Sequence, residues 1–553
     1  MLKLHSTIYA AAIFAIASLS GCGDADSAFS ASDNAPGNWQ GADTSTGWSD
    51  SSTGSGDTSQ PPPPENEVDF DLRTPEASDQ FLFVPSAALD ALIAVDASTL
   101  RVHLIEAGLS PTIVRALPDG AGAIVLNEGS SDVTLVRQDP GETVSFSKQF
   151  FPVAAGATRL VLSPDGAWAF AWYDERFGEG YARRGNFGSL QDVSAIHLVP
   201  GQEAVYNLAV GYRPTEVQFA DDDKLLLVEC EDGLSTTYLE DLVKDTFLPP
   251  VQTTDDVFVP PLEREIIPGP DGTFVAVRDL QYRRLLWIDL ETGGRLSLEL
   301  PDFPSDLDMT PDGTRLLVPL RELQQVAIVT IPEAFTWEAP TPVEPLEGEE
   351  PEPLVPNPYI TYVDTGAPFG SLALTADAGQ ALLFTTQAGV AAIGMLNVAA
   401  ETTTIRPMIK ELESVAIDPT GKVAALLHRR LSGTGSIAEQ NAYSLLDLTS
   451  GYAKLVIIPN PVSMFTFTSD GAELFALVPD PLGNQHAVHR VISETFAIQT
   501  YSVPDRPTFV GAMPMVSKMA ISLDNPTGWI TFIDTTTNEV RQLNSFELNG
   551  FVR

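Results

Sequence analysis

The chain has 553 residues, of which 44% are hydrophobic and 19% charged, an ordinary globular balance with ample length for a large core. Acidic residues outnumber basic ones 74 to 31, and the formal charge of −43 at pH 7 repels nucleic acid and anionic lipid head groups over most of the surface. Nucleic-acid binding is excluded on that ground, and the acidity reads as solvation outside a cytoplasm.

The chain opens on Met1-Leu2-Lys3-Leu4-His5, a short basic start, followed by an apolar run from Ile8 to Leu19 too brief for a stable bilayer span. Residues 1–21 therefore read as a signal peptide. The run ends in Leu19-Ser20-Gly21-Cys22, which resembles the lipobox of bacterial lipoproteins. That resemblance implies cleavage before Cys22 and acylation of its thiol and new amino terminus. Gly23 stands where an aspartate would favour inner-membrane retention, so the resemblance points to the outer membrane, on its periplasmic side or at the cell surface. With Cys22 lipidated, Cys230 is the only thiol left, no intrachain disulfide forms, and burial must supply the stability. Cys230 ends Leu225–Cys230, a predicted strand, and is expected to be buried and inert.

Residues 22–78 are rich in Ser, Asp, Gly, Thr and Pro, including Pro61-Pro62-Pro63-Pro64, and read as a disordered tether with one stiffer extended piece. Within it Val68–Leu72 alternates like an edge strand. From residue 79 to 553 the text changes to a repeated hairpin. Arg159 to Trp172 reads as two apolar strands joined by a tight turn at Ser163-Pro164-Asp165-Gly166, with Pro164 fixing φ and both Asp165 and Gly166 expected to tolerate φ > 0. The same signature stands at Pro118–Gly120, Pro270–Gly272, Pro311–Gly313, Pro419–Gly421 and Ser469–Gly471, with worn copies at Asp221–Asp223 and Asp377–Gly379. A third strand ends in aspartate before a Thr/Ser/Gly/Asn turn, as at Asp96, Asp289, Asp447 and Asp534, and a fourth follows. A proline such as Pro111, Pro214, Pro304, Pro368, Pro461 or Pro507 introduces the next unit, where its missing N–H costs no ladder bond.

Four short antiparallel strands per unit predict an all-β chain, a β-propeller of four-stranded blades. The units also resemble the YVTN family of propeller repeats, related to lactonase-like and cytochrome d1-like propellers, although no Tyr-Val-Thr-Asn tetrad is present. Counting gives about ten third-strand cores, so the blade number is about 7 to 10. Irregular units in a ring of about eight, one unusually large ring, and two rings all fit, with one ring favoured. Thr341–Pro358, acidic and proline-rich, falls between two strands of one unit and reads as a loop insertion. Arg541-Gln542-Leu543 or Gly550-Phe551-Val552 is expected to complete the first blade.

No cofactor or metal is expected. The six histidines show no zinc pattern, His486 and His489 lack a third ligand nearby, and neither a Gly-x-Ser-x-Gly elbow nor a recurring tryptophan motif is present. Basic residues gather in the long second-to-third strand loops 174–191 and 429–442. Arg183, Arg184, Arg429 and Arg430, with Tyr181 as a stacking surface, are the candidate ligand-binding residues for an anion. With no convergent acid, base and nucleophile, the sequence favours a monomeric scaffold for a small anionic ligand or an envelope protein, held to the membrane by Cys22. The family resemblance implies the alternative, a lactonase-like hydrolase.

Overall fold

The structure, a computed structural model, describes residues 61–65, 75–141, 143–177, 188–244, 246–254, 263–331, 357–431, 437–483, 485–525 and 527–545. Val68–Leu72 and Gly550–Val552 lie outside the described residues.

Ten antiparallel sheets follow one another along the chain, nine with four strands and the fourth with three, and in every sheet the strands pair in sequence order. Each sheet is one blade, whose strands are here called a to d from the inside outward. In the fourth blade the strands are Pro214–Ala220, Leu225–Cys230 and Gly233–Tyr238, and an isolated antiparallel bridge from Leu234 to Val251 stands in for strand d.

Ten apolar clusters hold the blades together, each drawing its side chains from two consecutive sheets. The last cluster joins Phe509, Ile530 and Phe532 of the tenth blade to Leu82, Ile93 and Val95 of the first, so the ring closes on itself. Because each blade is covered on both sides, its b strand is buried throughout rather than alternating. Gly122–Asn127, Leu225–Cys230 and Val423–His428 are buried at all six positions. Outer strands are half wet, as in Thr402–Pro407.

Two expectations are corrected here. Arg541, Gln542 and Leu543 lie in Val540–Asn544, the outer strand of the tenth blade, paired with Trp529–Asp534. The first blade takes its inner strand from Glu76–Ala77 instead, a two-residue strand too short to read in sequence. In the hairpin turns only the glycine is left-handed: Gly166 has φ 68°, whereas no positive φ occurs at Asp165. The aspartate has a different task, accepting the Ala167 amide at 2.9 Å and the Ser163 hydroxyl at 2.5 Å, which fixes the turn.

These turns also pack on one another around the rim. A Cβ on Gly166 would lie 2.6 Å from Cδ of Pro118, in the equivalent turn of the preceding blade, and one on Gly313 would collide with Pro270. Glycine is thus required for backbone conformation and for the approach of the neighbouring turn. The worn copies keep the shape at a cost. Ala378 sits at φ 50° where the others have glycine, and Asp221, Asp222 and Asp223 are all left-handed. The c-to-d aspartates act as local caps: Asp96 accepts from Ser98 N at 2.8 Å and Thr99 Oγ1 at 2.7 Å, and Asp447 from Ser450 N at 2.8 Å. Burial opposes ionisation of Asp96, yet the bonds from Ser98, Thr99 and Gln80 prevail and hold its carboxyl at about 2.

Candidate functional site

Hairpin connectivity puts the a-to-b and c-to-d turns on one face of the ring and the b-to-c and d-to-a connections on the other. The first face is lined by repeated short turns. The strands flanking the 341–358 insertion, Gln325–Thr330 and Ile360–Asp364, pair as c and d of the sixth blade, and their linked ends, Thr330 and Ile360, lie on that turn face. The second, the loop face, carries connections that differ from blade to blade, and it holds the sequence candidates.

Arg183, Arg184 and Tyr181 lie outside the described residues, in the b-to-c connection of the third blade. Arg429 follows Val423–His428 and is half-buried; burial raises the Glu413 carboxyl, and the charge of Arg429 counters it. Arg430 is exposed, donates through Nε to the Glu439 carbonyl at 2.9 Å, and lines an open groove of about 540 Å³ with Asn441, Pro459, Pro461 and Pro481. Two other arginines of this face are engaged locally. Arg176 pairs with Asp174 at 2.8 Å, and Arg213 lies 3.2 Å from both Glu175 and Glu231.

A more developed anion site lies at the junction of the sixth and seventh blades, and it is occupied by the chain itself. Pro61–Glu65 belongs to no blade, yet it reaches the loop face. The Glu65 carboxylate accepts from Arg321 Nη1 at 2.5 Å, Thr385 Oγ1 at 2.8 Å, Thr386 N at 2.6 Å and Thr386 Oγ1 at 2.5 Å. Four donors meet the roughly four lone-pair sites of one carboxylate. The backbone is read as well, with Arg321 Nη2 donating to the Pro63 carbonyl at 2.7 Å and Gln387 Nε2 to that of Pro64 at 3.3 Å. The Arg321 and Glu65 side chains are only 4% and 5% exposed.

Each part of this cradle comes from a loop-face connection at the end of a strand. Arg321 opens the 3-10 turn Arg321–Leu323 after strand Arg315–Leu320, and left-handed Gln324 ends it. Thr385 and Thr386 follow Gln380–Phe384, the b strand of the seventh blade. Gly370 precedes strand Ser371–Leu374, and its carbonyl is fixed by Ser305 Oγ at 2.8 Å. A Cβ at Gly370 would collide with Glu65 Oε1 and crowd Arg321 Cδ, so glycine makes room for the carboxylate. Sequence reasoning passed over Arg321 because it weighed long basic loops, and Arg321-Glu322-Leu323-Gln324 is short. The proline run directly before Glu65 was the available signal.

The histidines serve the core. Burial pushes His428 down to about 4, and its Nε2 lies 2.6 Å from Ser444 Oγ. His489 Nδ1 lies 3.1 Å from the Tyr443 hydroxyl, and His486 Nδ1 accepts from the Asp480 amide at 3.0 Å. Cys230 is buried, which raises its thiol and leaves it protonated and inert. Arg278, 3% exposed, pairs with Glu263 at 2.6 Å and Glu265 at 3.0 Å, while burial pushes nearby Asp306 up to about 6. Among the described residues no group of three or more His, Cys, Asp or Glu is placed to hold a metal ion.

No family model matches the chain, and no curated protein matches it. Solved structures similar to it include one described as a eukaryotic initiation factor, 13% identical, covering 78% of this chain and 96% of that one with a TM-score of 0.49. The dihydro-heme d1 dehydrogenase NirN in complex with DHE is 12% identical, covering 64% and 71% with a TM-score of 0.40. Kuenenia stuttgartiensis hydrazine synthase is 16% identical, covering 49% and 76% with a TM-score of 0.31. At these scores the neighbours carry no functional argument. The fold rests on the chain's own ten sheets and ten interblade clusters, which make it a β-propeller of ten blades.

Proposed function

We propose that this chain is a lipid-anchored protein of the bacterial cell envelope whose ring is a binding scaffold, built from YVTN-like repeats and engaging its ligand through the loop face. One observation carries the binding reading: the loop face already seats an extended segment that is foreign to every blade, through a cradle that satisfies a buried carboxylate. Arg183, Arg184, Arg429, Arg430 and Tyr181 are proposed to extend that surface around the rim, with Arg430 in the groove of about 540 Å³. The anchor rests on Leu19-Ser20-Gly21-Cys22, since the acyl chains of one modified cysteine suffice for stable attachment.

The test uses the full chain in membranes. A photo-reactive residue replaces Leu482, 81% exposed on the loop face, or Met515, 69% exposed on the turn face. The expected result is a defined envelope adduct from position 482 and none from 515, with the protein leaving the membrane fraction in a Cys22→Ser variant. Adducts from position 515 alone, unchanged fractionation, or lactone turnover abolished by loop-face substitutions would overturn the reading.

A further inference from the structure

The cradle raises a question that the scaffold reading leaves open, namely what chemistry the loop face selects. The backbone that carries its residues belongs to the blades and not to the occupant. Arg321 is fixed by its 3-10 turn, Gly370 by Ser305, and Thr385 and Thr386 by the strand they follow. Emptied of Glu65, the pocket would leave a nearly buried guanidinium beside Glu322, which lies at 3.4 Å with a side chain 62% exposed. A buried cation without a counter-anion is costly, so such a pocket takes up an anion.

The remaining contacts narrow the anion to a class. Donors from Arg321 and Gln387 read the carbonyls of two consecutive prolines, Pro63 and Pro64. Prolines offer carbonyls without amide hydrogens and pre-set an extended backbone with little entropy left to lose, which is the basis of proline-rich peptide recognition. The carboxylate sits on the residue after the second proline, and the space for it depends on the absent Cβ of Gly370.

We propose that the junction of the sixth and seventh blades is a peptide-binding site for an extended Pro-Pro-Glu segment, and that the chain's own Pro63–Glu65 fills it as a built-in competitor of such a peptide in trans. The assignment rests on the scaffold reading and names its ligand class. Covalent attachment sets the competition. Glu65 is joined to the inner strand of the first blade, Glu76–Ala77, by a short stretch of chain, which gives an effective concentration of about 1 mM. Against an intrinsic Kd of about 100 μM, that lowers the apparent affinity of an external peptide about 10-fold.

The probe is a fluorescent peptide with the sequence of residues 59–67, added to the full chain carrying Cys22→Ser. The Glu65→Gln variant is expected to bind it about 10-fold more tightly than the chain that keeps Glu65. Adding Arg321→Gln, or separately Gly370→Ala, should abolish binding, and so should glutamine in place of the peptide's glutamate that follows the proline run, the counterpart of Glu65. The thermal midpoint of each variant shows whether the ring is folded; Gly370→Ala keeps the test open if Arg321→Gln unfolds. Equal affinity with and without Glu65, no binding to the Glu65→Gln chain, or binding indifferent to both cradle substitutions would overturn the proposal. A failure here with the position-482 adduct intact removes the cradle assignment alone. Loss of that adduct with peptide binding intact removes the envelope reading alone.

Discussion

Glu229→Gln should make the ring more stable, and only at neutral to alkaline pH. Glu229 lies in strand Leu225–Cys230 directly opposite Glu216 on the neighbouring strand, and like charges so placed repel. Burial first, and Glu216 second, push its carboxyl from the ordinary 4.5 up to about 8, against the pull of Arg264 and Arg176. Burial raises Glu216 too. Between pH 4.5 and 8 the folded chain therefore keeps a proton that the unfolded chain has released, and stability falls as pH rises across that window. At about 1.4 kcal/mol per unit, the full loss by pH 8 reaches about 5 kcal/mol as a ceiling. Glutamine resembles the protonated acid in shape and does not titrate. At pH 5 the variant and the parent should agree to within about 1 kcal/mol, and at pH 9 the variant should be the more stable by several. Urea unfolding followed by tryptophan fluorescence at the two pH values measures the difference. A variant destabilised equally at both would refute the reasoning, because Glu229 would then be ionised and held by Arg264.

Replacing Ala378, at φ 50°, with glycine should stabilise the seventh blade by roughly 0.5–1 kcal/mol, whereas Gly166→Ala should destabilise by more than that, through its φ of 68° and its contact with Pro118; thermal midpoints decide both. His428 stays neutral in the fold, so the unfolded chain binds a proton first as pH falls from 6.5 to about 4, and stability drops over that range by up to about 3 kcal/mol. In a His428→Gln variant the acid-side slope of denaturant midpoints should flatten; an unchanged slope would place the acid sensitivity elsewhere.

The repeated turn was legible because it is local. Ser163 to Gly166 carries its own φ requirements and side-chain bonds, and Asp96 caps residues two and three places on. The role of Asp165 was misjudged since a carboxylate that accepts the Ala167 amide has no need of a left-handed backbone. Ten third-strand cores could be counted, but the number of blades in a ring follows from how side chains such as Phe83, Val114 and Val125 fill the wedge between neighbours, which no single unit records. The cradle was harder still. Glu65 and Thr385 are separated by 320 residues, and neither Arg321 nor the proline run signals the other until the ring brings them together.

The manner of closure sets one joint of the ring apart. Nine pairs of neighbouring blades share a peptide connection as well as an apolar cluster, but among the described residues the tenth and first share no strand and no peptide connection. That joint holds by side chains such as Phe509, Met513 and Phe532 against Leu82 and Ile93, with Lys518 Nζ donating to the Ala97 carbonyl across it. The molecule is topologically an open arc that behaves as a hoop only while this seam is shut. Among the described residues, parting it breaks no sheet hydrogen bond and leaves all ten blades intact, so any strain that loads the hoop concentrates there. Mechanical weakness in an otherwise uniform wall thus has an address, at the two ends of the described ring.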